Sequence, residues 1–108
     1  MVVRSGRRAG RPTMVLHYLP ERPVVQAPGP QDPQVGPRAG FVVGKSVGNS
    51  VCRHRVTRQL RHLVREELHR LPATADLVVR ARPEAAGADA ATLRRDLGRG
   101  LDRVLDRR

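Results

Sequence analysis

The chain has 108 residues, enough for one domain with a single modest core and too few for two. It carries 21 Lys and Arg against 10 Asp and Glu, a formal net charge of +11, so a polyanion is the expected partner. No apolar run approaches the roughly 20 residues of a membrane span, and the single Cys52 excludes an internal disulfide and fits a reducing cytoplasm.

The basic residues are concentrated in the first two thirds of the chain. Residues 1–70 hold 13 basic and 4 acidic residues, whereas residues 71–108 hold 8 and 6. All the basic residues except Lys45 are arginine, whose planar guanidinium suits phosphate contacts, although a GC-rich genome would give the same bias. With one Phe, one Tyr and no Trp, the core must consist of Val, Leu and Ala, and aromatic stacking on bases is expected to contribute little.

The first part of the chain contains one clear strand between two irregular segments. Residues 1–12 are basic, contain glycines and lack periodicity, so they are predicted to form a flexible arm. The β-branched and aromatic content of residues 13–19 predicts a strand inside a sheet, covered on at least part of both faces. Residues 20–38 hold six of the nine prolines and are predicted to be a long loop, inserted between two neighbouring strands.

A strand, a turn and a helix follow in the middle of the chain. Residues 40–43 predict a short strand and residues 44–48 a turn, with Asn49 or Ser50 as the N-cap of the helix. One helical face carries the aliphatic residues Val56, Leu60, Leu63, Val64, Leu68 and Leu71. The opposite face carries His54, Arg55, Arg58, Arg61, His62 and Arg65.

The last third predicts a strand and a second helix. Residues 76–82 read as a strand that ends at Pro83, and the order strand, helix, strand implies parallel pairing across the first helix. Asp89 is the expected N-cap of the last helix, whose buried stripe is Leu93, Leu97, Leu101, Val104 and Leu105. Gly98 and Gly100 are expected to let its second half fray.

The main candidate site is the basic ridge, which we define as Arg53, Arg55, Arg58, Arg61 and Arg65. Adjacent arginines repel one another, so a phosphate backbone that neutralises them is favoured over a merely solvated helix face. Lys45 and Arg53 flank the Gly-rich turn at the helix N-terminus and could clamp a phosphate. For the turn itself, the spacing alone favours a plain strand-to-helix connection.

Protein-borne catalysis has little support in the sequence. The four histidines form no metal-binding signature, and surface residues are the simpler interpretation of His54 and His62. A nuclease using those two histidines is the alternative, but no orienting carboxylate is evident. Glu66 and Glu67 are sequence neighbours, so they cannot form a facing carboxylate pair.

The stretch from Gly40 to Leu68 resembles the signature of the bacterial ribonuclease P protein subunit. In that family a strand, a turn with Lys and Gly, and a helix with an Arg-Asn-Arg sequence follow in this order. The matching positions are Val43, Lys45, Gly48, Asn49, Arg53, Arg55, Arg58, Leu60, Arg61 and Arg65. Weaker similarity on both sides extends the resemblance to nearly the whole chain.

The resemblance implies an α+β fold, an αβ sandwich in which a mixed sheet of about four strands packs against the basic helix and a C-terminal helix. It implies a single domain over residues 1–108. It also implies a left-handed crossover between the strands that flank the basic helix. The general rule for parallel strands favours a right-handed crossover, and here we follow the family.

The resemblance also implies a function in tRNA maturation. A separate RNA would remove the 5′ leader of precursor tRNA by endonucleolytic hydrolysis, with magnesium ions in the RNA active site. The protein would then hold no catalytic residue and no metal site. Its implied partners are the ribonuclease P catalytic RNA and precursor tRNA, in a complex of one protein and one RNA that is cytoplasmic and does not involve a membrane.

The resemblance assigns two sets of binding residues. The RNA-binding set is Lys45, Asn49, Arg53, His54, Arg55, Arg58, Arg61 and Arg65, with Arg7, Arg8 and Arg11 of the arm. The cleft for the leader is assigned to His17, Tyr18 and Phe41. The alternative function is a general basic RNA-binding or ribosome-associated protein without a role in tRNA processing.

Three features depart from the family pattern. His54 stands at the central position of Arg-Asn-Arg, where the family has Asn. The chain begins at what resembles the last turn of the family's first helix, which normally carries aromatic residues that line the cleft. His17 stands where family members often have an aromatic residue on the first strand, with Tyr18 next to it.

Overall fold

The computed structural model describes residues 6–20 and 36–105. They form four strands and two long helices. In chain order these are β1 (Arg7–Gly10), β2 (Met14–Leu19), β3 (Arg38–Val42), α1 (Ser50–Glu67), β4 (Asp76–Ala81) and α2 (Ala90–Leu105). Short 3-10 turns follow α1 at Leu68–Arg70 and precede α2 at Pro83–Gly87. None of the helices in these two ranges is long and apolar enough to cross a bilayer.

The sheet is mixed, with the strand order β1, β2, β4, β3. β2 is antiparallel to both of its neighbours, and β3 is parallel to β4. The prediction of parallel pairing across α1 is confirmed, because the helix returns the chain to the end of the sheet where β3 began. The left-handed sense of this crossover stays a prediction.

Both helices pack on one face of the sheet. Strand residues of alternate position point to that face, including Leu16 and Tyr18 of β2 and Leu77 and Val79 of β4, all nearly or fully buried. The helices contribute the residues of their predicted aliphatic stripes. These are Val56, Leu60, Leu63 and Val64 of α1 and Leu93, Leu97, Leu101 and Val104 of α2. The result is the predicted αβ sandwich of two layers.

The opposite face of the sheet, here called the open face, carries no helix among the described residues. Arg8, His17, Val78 and Gly40 lie side by side across it in the register of the four strands. Val78 is 36% exposed there, although Val15 in the same face of β2 is buried. The prediction that β2 lies inside the sheet is confirmed.

The prediction of a flexible arm is wrong for residues 7–10, which form the edge strand β1. Ala9 pairs with Leu16 and is only 4% exposed, because it packs in the core below the helices. Four residues with two arginines and a glycine carry no periodic signal, so only their pairing with β2 determines that they form a strand. Residues 1–5 of the predicted arm lie outside the described residues.

The prediction that the Pro-rich loop connects two neighbouring strands is wrong. Its flanking strands β2 and β3 are separated in the sheet by β4. Arg38, placed at the end of that loop by the sequence, already belongs to β3 and pairs with Asp76 of β4 through hydrogen bonds of 3.1 and 3.2 Å. Residues 21–35 lie outside the described residues.

Gly98 and Gly100 do not interrupt α2, which continues to Leu105. Gly100 is buried against β2, where a Cβ atom would lie 3.0 Å from both Cδ atoms of Leu16. The glycine therefore permits close contact between helix and sheet. Gly98 has no atom of another element within 4 Å of such a Cβ position.

These two glycines provide a matched pair for a stability test. Gly98→Ala should raise the free energy of unfolding by up to about 1 kcal/mol, because alanine is the better helix former. Gly100→Ala should lower it by about 1 kcal/mol, because overpacking against the fully buried Leu16 outweighs that gain. Urea denaturation of the two variants measures both changes. Equal stabilisation by both would show that the contact with Leu16 imposes no packing constraint.

Candidate nucleic-acid interface

The helix α1 begins at a tight turn that follows β3. Hydrogen bonds from Val47 N to the oxygen of Gly44 and from Gly48 N to the oxygen of Lys45, 3.0 and 3.2 Å long, close this turn. Gly48 has a φ of 154°, and a Cβ atom there would lie 2.9 Å from the Cys52 side chain. Only glycine fits at this position without a shift of Cys52. The side chain of Lys45 is exposed at the surface of the turn.

Asn49 is the N-cap of α1, as predicted. Its Oδ1 accepts a hydrogen bond of 2.9 Å from the backbone N–H of Cys52. The cap thereby satisfies one of the free N–H groups of the first helical turn. Asn49 therefore supports the interface by holding the start of the helix.

Replacement of Asn49 tests this role. Asn49→Ala should lower the free energy of unfolding by about 1 kcal/mol through loss of the cap. Asn49→Ser keeps an acceptor oxygen and should remain close to the wild type. Thermal or urea unfolding measures the difference, and equal loss in both variants would contradict a capping role.

The basic ridge lies on the solvent side of α1, opposite the buried stripe. Arg55, Arg58, Arg61 and Arg65 are exposed, and Arg53 is half-buried at the start of the helix. His54 is exposed beside them. The predicted separation of basic and aliphatic faces is confirmed.

Two arginines of the ridge are held by backbone oxygens. Arg53 Nε donates a hydrogen bond of 3.1 Å to the oxygen of Gly48, which keeps this side chain at the turn near the N-terminus of α1. Arg55 Nη2 donates to the oxygen of Ala86 at 2.8 Å and so connects α1 to the 3-10 turn before α2. Each guanidinium keeps further N–H donors, so these bonds orient the groups without using them up.

The other arginines of the ridge have fewer contacts. Within residues 6–20 and 36–105, Arg58 and Arg65 make no hydrogen bond or ion pair, and Arg61 lies over the ring of Phe41 at 5.9 Å. Their charges are therefore available to an external anion. This set of three repeats about once per turn along α1.

The acidic residues at the end of α1 are paired away from the ridge. Glu66 accepts from Arg94 of α2 at 2.6 Å, and Glu67 lies 3.4 Å from Arg70. Arg70 also binds Asp102 of α2 at 2.6 Å. Arg94 belongs to α2, and Arg70 belongs to the 3-10 turn after α1. Because these arginines hold the two carboxylates, the charge of the ridge is left uncompensated.

One expectation about the histidines is wrong. His62 Nε2 lies 3.4 Å from Glu66 Oε2, one helical turn further along, so a carboxylate does accompany this ring. Both side chains are well exposed, at 67% and 42%, and Glu66 is shared with Arg94. This exposed contact between residues one helical turn apart does not resemble the buried, oriented base of a nuclease.

The arginines of the predicted arm have different positions. Arg7 Nη1 donates to the oxygen of Val104 at 2.7 Å, and its guanidinium lies 5.9 Å from the centre of the Tyr18 ring. It therefore binds the C-terminal turn of α2, where carbonyl oxygens attract cations. Arg8 is exposed on the open face beside His17. Of Arg7 and Arg8, only Arg8 is exposed to solvent.

Arg11 belongs to a buried polar cluster around Asp96 of α2. Asp96 is fully buried and accepts hydrogen bonds from the backbone N and the hydroxyl of Thr13, at 3.1 and 2.6 Å. Arg11 Nε lies 3.6 Å from the other carboxylate oxygen. Burial raises the pKa of Asp96, but the hydrogen bonds from Thr13 and the charges of Arg11 and Arg95 outweigh it, and the pKa is lowered. Arg11 thus has a structural partner.

The structure does not bring His17, Tyr18 and Phe41 into one cleft. His17 lies on the open face, whereas Tyr18 is 4% exposed and points to the helices. Phe41 also lies on the helix side, at the edge strand β3. The alternation of side chains along β2 requires this separation of sequence neighbours. Of the three, only His17 has its side chain on the open face, although Tyr18 also borders one hollow there.

Two hollows extend across the open face, with volumes of about 410 and 400 Å³. Arg8 and His17 line both of them. The second is also lined by Arg80 and Arg82, which were not among the predicted binding residues. Both arginines could have been predicted from the sequence, because the alternation of buried residues in β4 places residues 78, 80 and 82 on the opposite face.

A basic helix and a basic open sheet face, one on each side of a four-stranded sheet, define a small α+β protein that binds nucleic acid. Among residues 6–20 and 36–105, no group of three His, Cys, Asp or Glu side chains could hold a metal ion. The chain belongs to the ribonuclease P protein family, whose family model matches residues 1–105. Membership makes it an RNA-binding component of an endoribonuclease complex that acts in tRNA processing, with the ribonuclease P RNA as its partner.

Curated relatives agree with this assignment. The chain is 53% identical over 102 residues to the ribonuclease P protein component of a Nocardioides species, with 94% of this chain and 80% of the relative covered. It is 50% identical over 103 residues to that of Streptomyces bikiniensis, with 95% and 82% covered.

Solved structures share the fold. The RNase P protein from Thermotoga maritima has a TM-score of 0.70 at 21% identity, covering 92% of this chain and 84% of that one. The RNase P protein of Staphylococcus aureus has a TM-score of 0.68 at 20% identity, covering 94% and 84%.

Proposed function

We propose that this protein binds the ribonuclease P RNA through the basic ridge and assists RNA-catalysed removal of the 5′ leader from precursor tRNA. The observation that carries the proposal is the uncompensated charge of Arg58, Arg61 and Arg65 on α1. The carboxylates of Glu66 and Glu67 are paired with Arg94 and Arg70, so the ridge attracts a phosphate backbone without local competition.

Lys45 and Arg53 extend the ridge at the turn before α1. The exposed ammonium of Lys45 and the guanidinium of Arg53, oriented by Gly48, would hold one phosphate near the positive end of the helix dipole. Asn49 contributes through the cap, and the exposed His54 would contact the RNA beside them. Arg55 would keep its remaining donors for the RNA.

The leader of precursor tRNA is proposed to bind the open face. Arg8 and His17 line both hollows there, and Arg80 and Arg82 supply further positive charge. Single-stranded RNA follows grooves of this kind through its phosphates. Phe41 takes no part in this site, because it lies on the other side of the sheet. Arg7 and Tyr18 border one end of the first hollow, and Arg11 acts through the fold.

The chemistry would be carried out by the RNA, with magnesium ions in the RNA active site and no catalytic residue in the protein. The working unit would be one protein with one RNA in the cytoplasm. The protein's part is electrostatic: it would lower the repulsion between the catalytic RNA and precursor tRNA, which magnesium otherwise screens.

Reconstitution with the cognate RNA tests the function. At low magnesium the protein should accelerate cleavage of precursor tRNA by the RNA, and at high magnesium the difference should shrink. An unrelated structured RNA of equal length serves as the binding control and should bind more weakly. Cleavage at low magnesium that is no faster with the protein than without it would overturn the proposal.

A further inference from the structure

A small notch lies between the edge strand β3 and the basic ridge, on the helix side of the sheet. Its volume is about 240 Å³. Phe41 of β3 and Val64 and Leu68 of the helix side form apolar walls, and Arg61 and Arg65 line it from the ridge. The notch is separate from the open face, where His17 lies.

Phe41 is the aromatic ring that this surface offers to a ligand. The chain has one Phe, one Tyr and no Trp, and Tyr18 is only 4% exposed. Phe41 is partly buried against the core, and the guanidinium carbon of Arg61 lies 5.9 Å from the centre of its ring. A planar cation over a partly accessible aromatic ring forms a stacking platform.

The charge and size of the notch select its ligand. Arg61 and Arg65 favour an anion, and the nearby Glu66 is paired with Arg94. The apolar walls and the ring favour a flat, aromatic group. Since drug-sized ligands fill about 300–1,000 Å³, this smaller notch suits a single base. A nucleotide combines a flat base with a phosphate.

We propose that this notch binds one unpaired nucleotide of RNA, with its base stacked on Phe41 and its phosphate bound by Arg65. The exposed Arg61 moves outward from the ring and covers the other face of the base. This inference rests on the proposed RNA-binding function of the ridge and adds a base-stacking contact to its phosphate contacts. An unpaired base is required, because a base within a duplex has no accessible face.

The composition of the chain permits a direct test in solution by NMR. With one Phe and one Tyr, the aromatic ring signals of Phe41 are assigned by comparison with a Phe41→Leu variant. The probes are a tetra-adenylate RNA and the same oligomer with abasic sites, which has equal charge and no bases. The adenylate should shift the Phe41 ring signals upfield and leave those of Tyr18 in place. The abasic oligomer should leave both unchanged.

Variants of Phe41 test the contribution to affinity for the ribonuclease P RNA. Phe41→Leu keeps an apolar side chain in the wall but removes the ring, and should weaken binding about fivefold or more. Because no charge is removed, the salt dependence should not change. Phe41→Tyr keeps the ring and should bind like the wild type. Circular dichroism and thermal unfolding verify that each variant is folded.

The outcomes test base stacking on Phe41 independently of the proposed function. Unmoved Phe41 signals with adenylate, or equal shifts with the abasic oligomer, would overturn base stacking even if the protein accelerates cleavage of precursor tRNA. Adenylate-specific shifts with loss of affinity in Phe41→Leu would support the notch even if the cleavage assay failed. Unchanged affinity in Phe41→Leu would show that the RNA does not use the ring.

Discussion

Replacing Arg58 and Arg61 together with alanine should weaken binding to the ribonuclease P RNA by about 100-fold, because each charge-assisted hydrogen bond contributes about 1.5 kcal/mol or more. Loss of two phosphate contacts should also flatten the dependence of log affinity on log salt by up to about two units. Neither side chain makes a hydrogen bond or ion pair within the described residues, so the fold should remain intact. Filter binding over a salt series measures both effects.

The matched control removes two exposed arginines from the other helix. Arg99 and Arg103 lie on the solvent side of α2, and their replacement with alanine changes the net charge by the same amount. If only the local ridge contacts the RNA, this control should keep most of the affinity and the salt slope. An equal loss in both double variants would show that net charge, and not the ridge, determines binding.

Replacing Asp96 with alanine should lower the free energy of unfolding by about 3 kcal/mol, because it leaves the buried Thr13 N–H and the nearby Arg11 without their partner. Asp96 is fully buried, and its carboxylate connects α2 to the turn between β1 and β2. Urea denaturation at neutral pH measures this loss. Thr13→Val removes only the hydroxyl and should cost about 1 kcal/mol.

The pH dependence of stability gives a second measure of Asp96. Its pKa is lowered in the folded protein, so the carboxylate favours folding above the ordinary Asp value of about 3.9. This contribution is lost as the pH falls through the lowered folded pKa. Asp96→Asn should therefore show a smaller loss of stability than the wild type between neutral pH and pH 3. Parallel pH profiles for the two proteins would contradict a stabilising charged Asp96.

The helices and most strands could be predicted because their residues repeat with the periods of their elements. The aliphatic stripe of α1 and the caps Asn49 and Asp89 are local patterns, and both caps accept their hydrogen bonds from residues three positions ahead. The edge strand β1 lacks such a pattern and depends on its pairing with β2. No local signal could have found it.

The residues of the candidate site fall into the same two groups, those predicted by local patterns and those whose contacts depend on distant partners. The ridge of α1 is a property of helical spacing and was found from the sequence, whereas the bonds that hold Arg7, Arg11 and Arg55 depend on distant partners. The separation of His17 from Tyr18 is different, because strand alternation alone predicts it, and their assignment to one cleft conflicted with that alternation. Arg80 and Arg82 could have been found by the same alternation.

The contact between Arg7 and Val104 joins residues 97 positions apart, and that between Thr13 and Asp96 joins residues 83 positions apart. Both connect the first strands to the last helix, so neither can form while the chain is still being synthesised through its middle. Contacts of such long range slow folding, because the intervening chain must lose its conformational freedom first. On the ribosome, the sheet would therefore complete its core only after α2 has emerged. The basic helix would reach the solvent earlier, before the layer that supports it is complete.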